Sequence, residues 1–234
     1  MQRVGGSLLS SERYGTNAVA RQSITGNGLD VLIKEIGSKL SKIRVASAGA
    51  FLLLILSCGD GGGVGDICGC QPNEPDSKDY RHAAKHVPLP PETPQEVDVN
   101  TVLGWPQTPD PPNNGPRTGR ELQMFHIANA FAQFVWLFHG DCDVHIEISN
   151  DPSKNSPRMI VETPVDAEYC SSRQALQNAL KQHGVVITTG FQELSHPIPV
   201  EVVGLAFHDF HHKRGSGFVA TVWELHPALV RIVP

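Results

Sequence analysis

The sequence predicts a mainly β fold: a small five-stranded barrel of the OB type, with one helix between its third and fourth strands. Three observations predict it. One segment alternates polar and apolar residues strictly, a short partner follows it across a turn, and a single helix-periodic stretch precedes two further apolar runs. A generic antiparallel α+β domain is the alternative.

The elements follow in order. Glu121 to Phe138 is long, apolar and rich in aromatics, with Ala128, Ala130 and Ala132 in its middle, which suits one bent strand or two short ones. His139-Gly140-Asp141 supplies turn chemistry. Asp143-Val144-His145-Ile146-Glu147-Ile148 alternates, so Val144, Ile146 and Ile148 face the core while Asp143, His145 and Glu147 face outward. A turn over Asn150 to Pro157 leads to a third strand, Arg158 to Thr163. Ser171 to Lys181 carries Ala175, Leu176, Ala179 and Leu180 at helical spacing, with Ser171 or Ser172 as the cap. Val200 to Phe207 and Phe218 to Val233 complete the set, separated by the polar loop His208 to Gly217.

This pattern begins only near Arg117. Eleven of the 18 prolines fall between Pro72 and Pro116, and six glycines crowd into Gly59 to Gly69. Such a stretch lacks the apolar density to offset its own ordering entropy, so 59–116 reads as a tether and 117–234 as the globular domain. Ahead of it, Lys39, Lys42 and Arg44 precede the apolar run Val45 to Leu56, and Ile55-Leu56-Ser57-Cys58 closes that run. Charged flank, apolar segment and small residue make 39–58 a signal segment, too short for a comfortable membrane span. Ile55 to Cys58 resembles the bacterial lipobox, which implies a lipid on Cys58 and a place at the outer membrane or cell surface. Residues 1–38 are polar and unpatterned and read as a non-structural or misassigned extension.

Export makes disulfides the expectation for the remaining cysteines. In the OB arrangement the start of strand two lies opposite the end of strand three, so Cys142 and Cys170 are the expected pair. A net charge of −5 and a pI near 6.1 argue against a general polyanion binder. No Gly-rich phosphate loop, paired C-x-x-C or serine-nucleophile motif is present.

Strand parity gathers the candidate site. Asp143 and His145 on the second strand, Glu162 on the third, and Glu224 and His226 on the last share one outer face, bordered by His208, Asp209, His211, His212, Lys213 and Arg214. Imidazoles and carboxylates edged by cations fit a divalent metal (zinc, manganese or magnesium) and an anionic ligand such as a phosphodiester. In that reading Asp143, His145 and His226 hold the metal, while Glu162, Glu224 and Arg214 serve the chemistry. Alternatively the same face is a non-catalytic ligand-binding surface, or His145 only pairs across the strands with Glu162.

Asp141-Cys-Asp143-Val-His145, Met159-Ile-Val-Glu162-Thr-Pro164, Gly204-Leu-Ala-Phe-His-Asp209-Phe-His-His212 and Glu224-Leu-His226-Pro227 together resemble a family of uncharacterised exported bacterial proteins. The resemblance covers Glu121 to Val233 and implies a shared site with no established activity. The chain departs from it where His212-Lys213-Arg214 stands near a usual H-x-Q and Thr221 near a usual Asn.

Overall fold

A computed structural model describes residues 66–211 and 215–234. Cys58 and the signal segment therefore lie outside the described residues, as do His212, Lys213 and Arg214. Five long strands follow the expected order: β2 (Met124–Leu137), β3 (Val144–Ser149), β4 (Arg158–Thr163), β5 (Gln192–His208) and β6 (Val219–Ile232). Helix α3 (Cys170–Gln182) stands between β4 and β5. The preceding segment supplies α1 (His82–Lys85), the two-residue strand β1 (Gln95–Glu96) and α2 (Val99–Leu103).

The strands pair in the order β2-β3-β4-β6-β5, and β5 returns to β2, which closes the sheet into a barrel with no free long edge. All long pairings are antiparallel except β4 with β6, as the OB connectivity requires. β2 is one strand; register shifts after Ile127 and after Ala132 bend it, so it pairs with both β3 and β5. β5 begins well before the expected Val200, because Pro197 and Pro199 interrupt the sequence signal of a strand that nonetheless pairs Ile198 with Ala132. Glycine is required at 204: a Cβ there would meet the Pro227 carbonyl oxygen at 2.7 Å, where β5 passes β6.

Inward parity is as the alternation predicts. Val144, Ile146, Ile148, Met159, Val161 and Leu225 join one buried core with Leu176 and Leu180 of α3. The helix itself starts at Cys170, after a 3-10 turn Ala167–Tyr169, and its cap is Tyr169 rather than Ser171 or Ser172.

Two expectations are corrected. From Asp66 onward the supposed tether is part of the folded body. Ile67, Val99, Val102 and Trp105 are buried in the barrel's own core, and Trp223 Nε1 donates to the Pro106 carbonyl at 2.9 Å. Proline-rich composition misled because this segment builds no core of its own and borrows the barrel's. Its backbone carbonyls are met by guanidinium groups. Arg173, fully buried, donates to Ile67, Cys142 and Thr163 carbonyls at 2.7 to 3.0 Å. Arg81 donates to those of Gly115 and Pro116 and pairs with Glu121 at 2.6 Å. Arg117 donates to those of Ala84, Ala206 and His226.

The second correction concerns the disulfides. Cys142 and Cys170 are not joined to each other; Cys68 pairs with Cys170 and Cys70 with Cys142. With residues 66–70 laid against the barrel, Cys68 and Cys70 each reach one barrel cysteine, with Cα separations of 5.3 and 5.9 Å. Two disulfides place the folded part in an oxidising compartment. Among the described residues no helix is long and apolar enough to cross a membrane.

Candidate functional site

β3, β4 and β6 lie side by side, and their outward side chains form one row. His145 stands opposite Glu162 in the β3–β4 register, and Ile160 stands opposite Glu224 between β4 and β6. Parity predicts this row, but not its burial. Asp143, Glu162, Glu224 and His226 are nearly inaccessible, with the segment before Arg117 laid over this face, while Glu147 is buried by Arg158 and the turn at Ser216. The outer face of the barrel is therefore an interior layer.

Between the covering segment and the barrel lies a cavity of about 910 Å³. The barrel contributes His145, Glu162 and Glu224, the loops contribute Asp141, Asp166 and Asp209, and the cover contributes Asp79, His82, Lys85 and His86. Aromatic rings form part of its wall. Trp136 stacks on His145 with centroids 4.9 Å apart, Phe191 packs on Trp136 at 4.6 Å, and Tyr80 meets Phe210 at 4.8 Å. His226 and Asp143 stand outside the lining, in contact with Glu162 and with each other.

Glu162 is the hinge of this network. Its two oxygens lie 2.6 Å from His145 Nδ1 and 2.5 Å from His226 Nδ1, and His226 Nε2 lies 3.1 Å from Asp143 Oδ2. These atoms are at ion-pair distance, yet Glu162 Oε2, Asp143 Oδ2 and both nitrogens of His145 and His226 lack an aligned hydrogen bond. Asp143 Oδ1 accepts from the Val165 amide at 2.9 Å, which fixes the carboxylate.

Charge and burial oppose each other throughout. Burial pushes Glu162 up, but the His145 and His226 imidazoles beside it hold it well below the ordinary carboxylate range. Burial alone lowers His145 and His226, and the Glu162 charge more than restores both, so each lies above the ordinary imidazole value. Asp141 is raised to about 6 by burial and by the neighbouring Asp143 charge. On the cover, burial depresses His86, but the carboxylates of Asp79, Asp143 and Asp166 around it lift it to about 9.

Asp143, Glu162 and His226 form a group whose candidate ligand atoms lie within 4.8 Å of one another, so three of the predicted residues are brought together. His145 joins them through Glu162, and Glu224 Oε2 stands 3.9 Å from His226 Nδ1. The loop fares differently. His208 is the last residue of β5, buried at the edge of Trp223 rather than exposed in a loop, and burial lowers its pKa. His211 turns away to Asp110 and Gln107. Neither lines the cavity, whereas Asp209 does.

Sequence reasoning missed Asp79, His82, Lys85, His86 and Asp166. The i, i+4 spacing of His82 and His86 was legible, but it sits among residues read as a tether. No protein-family model, curated protein or solved structure matches this chain.

Proposed function

We propose that the chain is an exported, lipid-anchored hydrolase that uses a divalent cation to cleave an anionic ester of the phosphodiester kind in the cavity between cover and barrel. The observation that supports this reading best is the group Asp143, Glu162 and His226. Its buried nitrogen and oxygen atoms converge without aligned hydrogen bonds, and the cavity reaches the group through Glu162. Such a donor set, one imidazole and two carboxylates, suits zinc or manganese, with magnesium a poorer match. A cation bound there supplies Lewis acidity to a substrate oxygen and to water.

The chain's own residues would do the rest. His145 orients Glu162 from the cavity side, and the Val165 amide orients Asp143. Nine carboxylates and two lysines line the cavity, so an anion enters only where positive charge has been added. Lys85 is the fixed cation nearest this need. Burial lowers its pKa, but the charges of Glu162 and Asp79 raise it further, so it stays protonated and steadies negative charge developing on the substrate. That is the part the sequence assigns to Lys213 or Arg214. Lipid on Cys58 holds the domain at a membrane surface.

A non-catalytic binding module is the second reading, favoured by the aromatic wall. Phe138 and Phe191 line the cavity yet are 45% and 64% exposed, which suits stacking on a ring-bearing ligand. Metal content of the purified full chain, measured by mass spectrometry with its Asp143→Asn and His226→Ala variants, separates the two, together with a chelator-controlled phosphodiesterase screen. Stoichiometric metal that both variants lose, with chelator-sensitive turnover, supports the hydrolase. Full metal content and turnover in both variants would sink it, and ligand binding that survives chelation without turnover selects the binding module.

A further inference from the structure

The cover carries a second set of metal-ligating side chains, separate from the barrel group. His82 opens α1 and His86 follows it, four residues apart, so both imidazoles project from one side of a single helical turn, their centroids 4.0 Å apart. Asp79 lies three residues before His82. Its Oδ2 stands 3.0 Å from His82 Nδ1 and 3.6 Å from His86 Nε2. One ligand atom from each of the three falls within 4.8 Å of the others, and all three residues line the cavity.

Three residues at close range can be an ordinary ion-pair cluster, and His86 is what distinguishes this one. Its side chain is only 8% exposed. Nδ1 is engaged by Asp166 Oδ2 at 2.7 Å, from the loop before α3. Nε2, on the other side of the ring, is buried and has no aligned hydrogen bond, and it points toward Asp79 and His82. An imidazole held through one nitrogen by a carboxylate, with the other nitrogen turned toward further ligand atoms, is the arrangement in which histidine ligates a metal once its proton is displaced. Asp79 is held in a matching way: Lys85 Nζ takes Oδ1 at 3.0 Å and leaves Oδ2 to the histidines. Asp76 Oδ2, 3.5 Å from His82 Nε2, holds the far side of that ring.

We propose that Asp79, His82 and His86 form a second cation site, selective for zinc or a similar imidazole-seeking divalent ion, on the opposite wall of the cavity from Glu162. Two imidazoles and one carboxylate with the cavity beside them are the ligand set of an open zinc site. The His86 ring centroid is 6.2 Å from that of His226, so the two groups flank the same space. A substrate anion in the cavity would then meet a cation from each wall, which answers the surplus of carboxylates there. The role of this second ion in turnover rests on the hydrolase reading; its binding does not.

The test is zinc stoichiometry of the full chain by mass spectrometry and by competition with a chromogenic chelator, with His82→Ala, Asp166→Asn and Asp143→Asn variants. His82 is a third exposed, so its truncation leaves the fold intact, and circular dichroism verifies this. Expected are two zinc equivalents in the wild type, one in His82→Ala and one in Asp143→Asn. Asp166→Asn is expected to keep the stoichiometry and weaken one equivalent on the order of 10–100-fold. One equivalent in the wild type, unchanged in His82→Ala and lost in Asp143→Asn, overturns this site and leaves the barrel group standing. One equivalent lost in His82→Ala and kept in Asp143→Asn supports the site and removes the barrel group instead. No zinc in the wild type overturns both.

Discussion

The two disulfides are nested, and this fixes what each contributes. Cys70–Cys142 alone closes a loop with a sequence separation of 72. Once it is present, Cys68–Cys170 closes a much smaller ring: two residues from Cys68 to Cys70 and 28 from Cys142 to Cys170, about 30 in all. Loop-closure entropy makes a ring of about 30 residues worth about 3.5 kcal/mol and one of about 72 worth about 4.4 kcal/mol. Either bridge removed singly therefore costs about 3.5 kcal/mol, since the ring shared with the other is the same, and both together cost about 8 kcal/mol. A domain of this size has roughly 5–15 kcal/mol in total. The paired variants Cys68→Ser/Cys170→Ser and Cys70→Ser/Cys142→Ser leave no stray thiol in the folded part. Urea unfolding followed by fluorescence of Trp105, Trp136 and Trp223 measures the change. With a slope of about 2 kcal/mol/M, each midpoint falls by about 2 M, and that of the fourfold variant by about 4 M. Midpoint shifts below ~0.5 M in both pairs, or a peptide map that recovers Cys142 joined to Cys170, would refute the nested linkage.

Three further outcomes are expected. Glu121→Gln leaves the buried Arg81 guanidinium without its counter-charge and costs about 3 kcal/mol in chemical denaturation at neutral pH. Burial raises the Glu121 carboxyl, but hydrogen bonds from Arg81 and the His208 and Thr118 amides hold it below the usual range. Its stabilisation is therefore full above the unfolded value of about 4.3 and is lost as pH falls through the lower folded value. The variant should show a flatter acid-unfolding curve below pH ~4, and an unchanged curve counts against the pair. Val161→Ala, wholly buried where β4 meets β6, is expected to cost roughly 2–3 kcal/mol, and a loss under ~1 kcal/mol would mean that the barrel interior relaxes around it. Zinc at 100 times its dissociation constant stabilises each occupied site by about 2.7 kcal/mol; Asp143→Asn should abolish that part of the thermal shift, and an undiminished shift would exclude Asp143 as a ligand.

The barrel was legible because its signals are local. Strict alternation over residues 143–148 fixes β3 and its inward face, and the spacing of Leu176 and Leu180 fixes α3. Parity also carried the site. Asp143, His145, Glu162, Glu224 and His226 share a face because residues two apart must, and because β4 neighbours both β3 and β6. The cover was not legible, for a definite reason. Val99, Val102 and Trp105 are too few to form a core, and only the barrel core they join reveals their purpose. Misreading that segment removed the correct partners of Cys142 and Cys170 from consideration, and with them the burial of the candidate face. His208 was misplaced because β5 continues to it, past the point where polar composition signals a loop.

Arg81, Arg117 and Arg173 work as mortar between two parts that share little regular hydrogen bonding. Each planar fork binds several carbonyls at once, from the cover and from the barrel, something lysine's single ammonium cannot reproduce. The cover thus needs no sequence pattern of its own beyond its fastening points. Between those points, the side chains of Glu74, Asp76 and Lys78 line the cavity without entering the barrel core. What enters the cavity can then be revised by editing one strip of sequence, while the β3–β4–β6 row beneath it stays as it is.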